Sequence, residues 1–227
     1  MSLIELAKKW QKIDNSADNA QEIERRIAEN DQEWLREYFG SRLSFGTAGL
    51  RGKMGPGTNA MNRGIVQQTS LGIALCIKEQ FPNQDHSVVI GYDARHNSKL
   101  FAQDAAKVFA LQGFTVHLFE RLCATPALSY AVLNLECNVG VMITASHNPA
   151  TDNGYKVYWT DGGQIVPPQD GEIIAENGEV GKSRVSTIPY RLPQTKPIIL
   201  NNKTQCHNLL YSQITIQFNQ YQQNYGT

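Results

Sequence analysis

Residues 87–119 read SVVIGYDARHNSKLFAQDAAKVFALQGFTVHLF, and this run decides the fold. Val88, Val89 and Ile90 make a short buried strand from Ser87 to Gly91. Phe101, Ala105, Val108 and Phe109 then return at three- and four-residue steps, which predicts a helix over 97–112 with one apolar face. Gly113 is a good stop for it. Thr115–Phe119 is apolar again and predicts a second strand. Apolar strands alternating with helices imply an α/β sheet covered on both faces.

The flanks continue the alternation. Residues from about Asn62 to Phe81 read as a mostly buried helix ended by Pro82, and Pro126–Leu135 as a helix with proline in its first turn. Val139–Thr144 and Tyr155–Trp159 predict two more strands. Upstream, Leu3, Leu6, Ala7, Trp10 and Ile13 form one amphipathic stripe. Ile23, Ile27, Trp34, Leu35 and Tyr38 form a second, capped at Asp18 and stopped at Gly40. The expected architecture is a three-layer α/β/α domain with a mixed, mostly parallel sheet, preceded by N-terminal helices. Ligands on such sheets bind beyond the C-terminal ends of the strands, which directs attention to Asp93–His96 and Ala145–Pro149.

Charge divides the chain. The 227 residues carry 21 basic and 21 acidic side chains, for a net charge of zero. Residues 1–182 hold 17 basic residues and all 21 acidic ones, net −4, whereas residues 183–227 carry only Arg184, Arg191, Lys196 and Lys203, net +4. The balance argues against a nucleic-acid arm or a binder of anionic membranes, both of which need surplus positive charge. The 183–227 segment is rich in Asn and Gln and is expected to be poorly ordered or loosely docked. Ile198–Leu200 and Ile214–Phe218 could be short strands there, with no partner evident. Cys76, Cys123, Cys137 and Cys206 are scattered without metal-like spacing, and the first three read as buried free thiols. No apolar run approaches the roughly 18 residues of a membrane span and no secretory signal is seen, so a cytoplasmic protein is expected.

Three runs could carry chemistry. Thr144-Ala145-Ser146-His147-Asn148-Pro149 sets a hydroxyl beside an imidazole at a strand end, before an Asn-Pro turn. Taken alone it is equally an exposed loop, and it lacks the GxSxG elbow of a hydrolase. Gly46-Thr47-Ala48-Gly49-Leu50-Arg51-Gly52-Lys53-Met54 fails as a P-loop, because Met54 stands where a magnesium-binding Ser or Thr belongs. Its glycines still let backbone approach an anion, and the planar fork of Arg51 suits a phosphate. The other reading is a structural turn with a surface arginine. Asn153-Gly154-Tyr155-Lys156 reads as a turn joining two strands; Lys156 is either a solvated charge at a strand end or, if the turn folds with the Ser146 loop, points back towards Ser146. Asp93, Arg95 and His96 fit either ligand contact or a structural Asp–Arg pair, and Asp152 and Asp161 fit turns better than metal ligands.

Together these runs resemble the active-site loops of the α-D-phosphohexomutases, and the SFGTAGLRGKMGPG version with helices before it is most similar to the phosphoglucomutase-2/phosphopentomutase branch. The resemblance covers roughly residues 1–180 and implies the first domain of four. It implies that Ser146 is a phosphoserine exchanging its phosphoryl group with a sugar phosphate through a sugar 1,6-bisphosphate. His147 and Lys156 would assist proton transfer and charge stabilisation, and Arg51 would hold a phosphate. Mg²⁺ would bind the phosphoserine oxygen of Ser146. The implied substrates are phosphosugars, hexose or pentose.

The family's aspartate-rich magnesium loop, sugar-reading loop and last phosphate-binding loop have no counterpart in this sequence. Two functions are therefore open. One is a phosphosugar mutase that needs those parts in cis or in trans. The other is a non-catalytic fragment or isoform acting as an interaction module. The expected division is 1–182 as the first domain with its helical extension, and 183–227 as a divergent tail.

Overall fold

The computed structural model describes residues 1–166 apart from 15, 47 and 48, together with residues 198–200. Three short helices come first: α1 (Leu3–Trp10), α2 (Ala17–Ala28) and α3 (Gln32–Phe39). Local chemistry sets their limits. Ser2 and Glu5 close a reciprocal capping box on α1. Ser16, rather than Asp18, caps α2 through its bond from the Asn19 N–H. The single second helix expected up to Gly40 is in fact two. Asn30 takes a left-handed φ of 52°, and the Asp31 carboxylate then caps α3 by accepting from the Trp34 N–H. Apolar periodicity runs through that break, which is why the stripe alone does not reveal it.

The body follows as β1 (Leu50–Lys53), α4 (Arg63–Gln80), β2 (Ser87–Tyr92), α5 (Ser98–Leu111), β3 (Thr115–Phe119), α6 (Thr125–Asn134), β4 (Val139–Ile143), β5 (Asp152–Tyr158) and β6 (Ile198–Leu200). The sheet order is β1-β5-β4-β2-β3-β6. The β4–β2, β2–β3 and β3–β6 pairs are parallel, and β1–β5 and β5–β4 are antiparallel, so the sheet is mixed and mostly parallel. Chain direction explains the mixture. The β2-to-β3 and β3-to-β4 links each contain a helix long enough for a parallel crossover, whereas β4 and β5 are joined by only eight residues.

Two apolar layers sandwich the sheet. Val88, Ile90, Val116, Leu118, Val139, Val141, Ile143, Tyr155 and Val157 join one buried cluster with residues of α4, α5 and the N-terminal helices. Val89, Phe119 and Met142 face Leu128, Ala131 and Val132 of α6. The alternation along each strand is the period of two that sends neighbours to opposite faces. α4 is buried almost all round because the N-terminal helices lie on it. A Cβ at Gly64 would stand 3.0 Å from the Trp10 ring and 3.3 Å from Ile13. On its other side, Arg63 ties α4 to α5 through Asp104, with Nε 2.6 Å and Nη2 2.8 Å from the two carboxylate oxygens.

The isoleucine pair for which no partner was evident finds one: β6 lies beside β3, with His117 opposite Ile198. The possible strand at 214–218 and Cys206 lie outside the described residues. Cys76, Cys123 and Cys137 are buried free thiols. Burial pushes the Cys123 thiol up to about 12 and the Cys137 thiol up to about 11. No helix among the described residues is long and apolar enough to cross a membrane.

Candidate active site

β2 sits between β3 and β4, and the chain leaves it first to one side and then returns to the other. The strand order therefore reverses at β2, and the crevice beyond its C-terminal end is where an α/β sheet receives ligands. Asp93 follows β2 directly, and Thr144-Ala145-Ser146 follows β4. Sheet topology brings the two together. The Asp93 Oδ2 accepts from the Thr144 hydroxyl at 2.6 Å, and its Oδ1 accepts from the Ser98 hydroxyl at 2.8 Å and the Arg95 N–H at 3.0 Å. Arg95 Nε lies 3.3 Å from the same carboxylate, so the Asp–Arg pair expected from sequence is formed.

Ser146 stands on the tight connection between β4 and β5. Asn148 N donates to the Ala145 carbonyl and Asp152 N to the Pro149 carbonyl, closing successive turns. Ser146 is exposed, with a left-handed φ of 59°, an uncommon conformation for a residue with a Cβ. Its N–H donates to the Thr144 hydroxyl at 3.0 Å. His147 beside it is also exposed. His96 is exposed too, and its carbonyl accepts from the Asn153 amide at 3.0 Å.

The expected Asn-Gly turn is not a turn. Asn153 and Gly154 lie inside β5, and the reversal is made earlier, over residues 145–151. Gly154 is needed for closeness: a Cβ there would fall 2.6 Å from the Thr144 carbonyl oxygen and 2.8 Å from that of Leu50. Asn153 is wholly buried and donates to the Ser98 hydroxyl at 2.9 Å as well as to His96. Asp152, read as a turn residue, opens β5 and accepts from the Asn148 amide at 2.9 Å.

The glycine-rich run contributes a strand that periodicity did not show. Gly49 takes a φ of 86°, and a Cβ on it would stand 2.0 Å from the Tyr155 carbonyl oxygen, so the chain enters β1 pressed against β5. Arg51 is then directly opposite Gly154, two residues from Lys156 along the same face of β5. Arg51 Nη1 donates to the Asn148 side-chain oxygen at 3.2 Å, which joins it to the serine loop. Partial burial first, and the positive charge of Arg51 second, hold the Lys156 ammonium below the usual lysine range. Two cations thus sit on adjoining strands, one of them joined to the serine loop through Asn148, and their mutual repulsion would be relieved by an anion. That arrangement suits a phosphate dianion.

The model for the phosphoglucomutase/phosphomannomutase alpha/beta/alpha domain I matches residues 42–182. The chain belongs to that family. It is 42% identical over 180 residues to a human phosphopentomutase, covering 75% of this chain and 29% of that protein. It is 44% identical over 167 residues to a Saccharomyces cerevisiae phosphoribomutase, covering 72% and 27%. It is also 47% identical over 163 residues to a Staphylococcus aureus phosphoglucomutase, covering 72% and 29%. The chain thus spans less than a third of the length of these relatives. A phosphoglucomutase/phosphomannomutase family protein from Burkholderia thailandensis shares the fold, with a TM-score of 0.52 at 20% identity over 62% of this chain and 31% of that one.

Among the described residues no three His, Cys, Asp or Glu side chains converge as metal ligands. The carboxylates nearest the serine are already committed, Asp93 to hydroxyls and Arg95, and Asp152 to Asn148. These residues do not by themselves make a Mg²⁺ site. Thr144, Asn148 and Asn153 lie inside the quoted runs and Ser98 outside them; what each of them holds follows from the strand order, which joins Asp93 to Thr144 across 51 residues.

Proposed function

We propose that this chain is the phosphoserine-bearing domain of a phosphosugar mutase, acting on hexose or pentose phosphates. The observation that carries this is the exposed, left-handed Ser146, on a loop tied to Arg51 and returning into the strand of Lys156. The Ser146 Oγ–phosphorus bond breaks as a sugar hydroxyl oxygen bonds phosphorus, and the hydroxyl proton ends on Ser146 Oγ. The sugar bisphosphate turns over, and its other phosphoryl group returns to the serine with the proton moving the opposite way. Arg51 holds a phosphate in the cleft beside the serine loop, and Lys156 stabilises charge on the transferring group. Its lowered pKa also makes it a better proton donor, and exposed His147 relays the proton. Such transfers are governed by positioning and electrostatics, which fixed cations supply.

Complete turnover needs ligands for Mg²⁺ and for the sugar that the described residues do not provide. A sugar 1,6-bisphosphate is the phosphoryl donor, and the three buried thiols suit a reducing compartment such as the cytoplasm.

The test is covalent labelling. Incubated with glucose 1,6-bisphosphate and Mg²⁺, the chain should gain one phosphoryl group by intact mass, mapped to Ser146 and lost in Ser146→Ala. Conversion of glucose 1-phosphate by the chain alone should be negligible. An unlabelled wild-type chain would remove the phosphoserine reading and leave an interaction module.

A further inference from the structure

Arg95 does more than pair with Asp93. Its Nη1 donates to the carbonyls of Pro149 at 2.7 Å and Asp152 at 3.2 Å, and its Nη2 to those of Ser146 at 2.7 Å and Asn148 at 2.8 Å. With Nε on Asp93, the whole guanidinium fork is engaged, four donors of it by one loop. The two backbone groups of Ser146 are held from a common anchor. Its N–H reaches the Thr144 hydroxyl, which donates to Asp93, and its carbonyl reaches Arg95, which pairs with the same Asp93 oxygen. A serine stays in the left-handed region only where its surroundings over-determine it.

We propose that Arg95 is a positioning residue for phosphoryl transfer: by gripping four carbonyls of residues 146–152 it sets the left-handed backbone, and hence the hydroxyl direction, of Ser146. This rests on the phosphoserine reading. A lysine in its place keeps the charge but offers a compact ammonium, which cannot span carbonyls spread along seven residues.

Arg95→Lys is therefore compared with wild type by the initial rate of Ser146 labelling from glucose 1,6-bisphosphate over a range of donor concentrations. The expected result is a fall of about 10²-fold in the saturating rate, as for other small misplacements of reacting groups, with the half-saturating concentration unchanged. Labelling of Arg95→Lys at the wild-type rate, or a loss seen only in half-saturation, overturns the proposal and leaves the phosphoserine reading intact. An unlabelled wild type overturns both. In the wild-type chain, ¹⁵N-resolved spectra should show separate Nη protons for Arg95, because hydrogen-bonded carbonyls stop the fork from rotating. A single averaged signal overturns the clamp even if Arg95→Lys does not fold.

Discussion

Asp14 is 2% exposed where the end of α1 meets the first turn of α4. It accepts from the Asn19 amide at 2.5 Å, yet its Oδ1 has no partner. Burial dominates and raises its pKa from 3.8 to about 6, against the opposing pull of Asn19, Ser16 and Arg63. The folded chain therefore holds a proton that the unfolded chain has released between about pH 4 and pH 6. Stability should fall as pH rises through that window, by about 3 kcal/mol in all, and change little from this group above it. Asp14→Asn should flatten that segment of the curve and stabilise the chain at neutral pH, as read by urea denaturation at several pH values. Gly154 belongs to this scale too. Gly154→Ala drives a methyl into two backbone carbonyls that cannot swing aside, so a loss of about 1–3 kcal/mol is expected in the same assay.

The elements β1 and β5 mark where sequence reasoning succeeded and where it ran out. Apolar runs and stripes, with proline and glycine as punctuation, were enough for α4, α5, α6 and the strands β2, β3 and β4, because each buries apolar residues along most of its length. β1 has no such pattern: its four residues are Leu-Arg-Gly-Lys, and it exists because Gly49 and Gly154 let two backbones close up. Asn153-Gly154 misled for a related reason. The glycine meets a demand for space rather than for positive φ, and a dipeptide rule cannot tell the two apart. The serine and cation positions were legible as motifs, whereas the Asp93–Thr144–Ser98–Asn153 network required knowing which strands are neighbours. Asn153 is the link of β5 to the start of α5. Asn153→Ala would leave the buried Ser98 hydroxyl and His96 carbonyl without this donor, at a cost of about 1–3 kcal/mol each at most. Amide hydrogen exchange should show the loss concentrated in β5 and the first turn of α5.

For the whole molecule, the N-terminal helices are part of the core rather than an appendage. The matched family domain begins at residue 42, yet Ala7, Trp10, Ile23, Leu35 and Phe39 join the same buried cluster as Ile65, Ile73 and Val141. Trp10→Ala should cost about 3–5 kcal/mol, the usual range for removing a large buried side chain. A chain beginning at residue 42 should melt with reduced cooperativity, because it bares one side of α4; a calorimetric scan of both proteins would show it. A truncation that melted like the full chain would mean the helices contribute nothing to the core they enter.

The order of the sheet has one more consequence. β1 is made early, but among the described residues its only sheet neighbour is β5, and Arg51 meets Asn148 97 residues further along the chain. During synthesis that interval lasts about 5–20 s. Throughout it the nascent chain holds an arginine-bearing segment whose partner strand β5 is not yet made, while β2, β3 and β4 can already assemble behind it. The joining of Arg51 to the serine loop is thus a late event in the life of each molecule, since it waits for β5 and for Asn148.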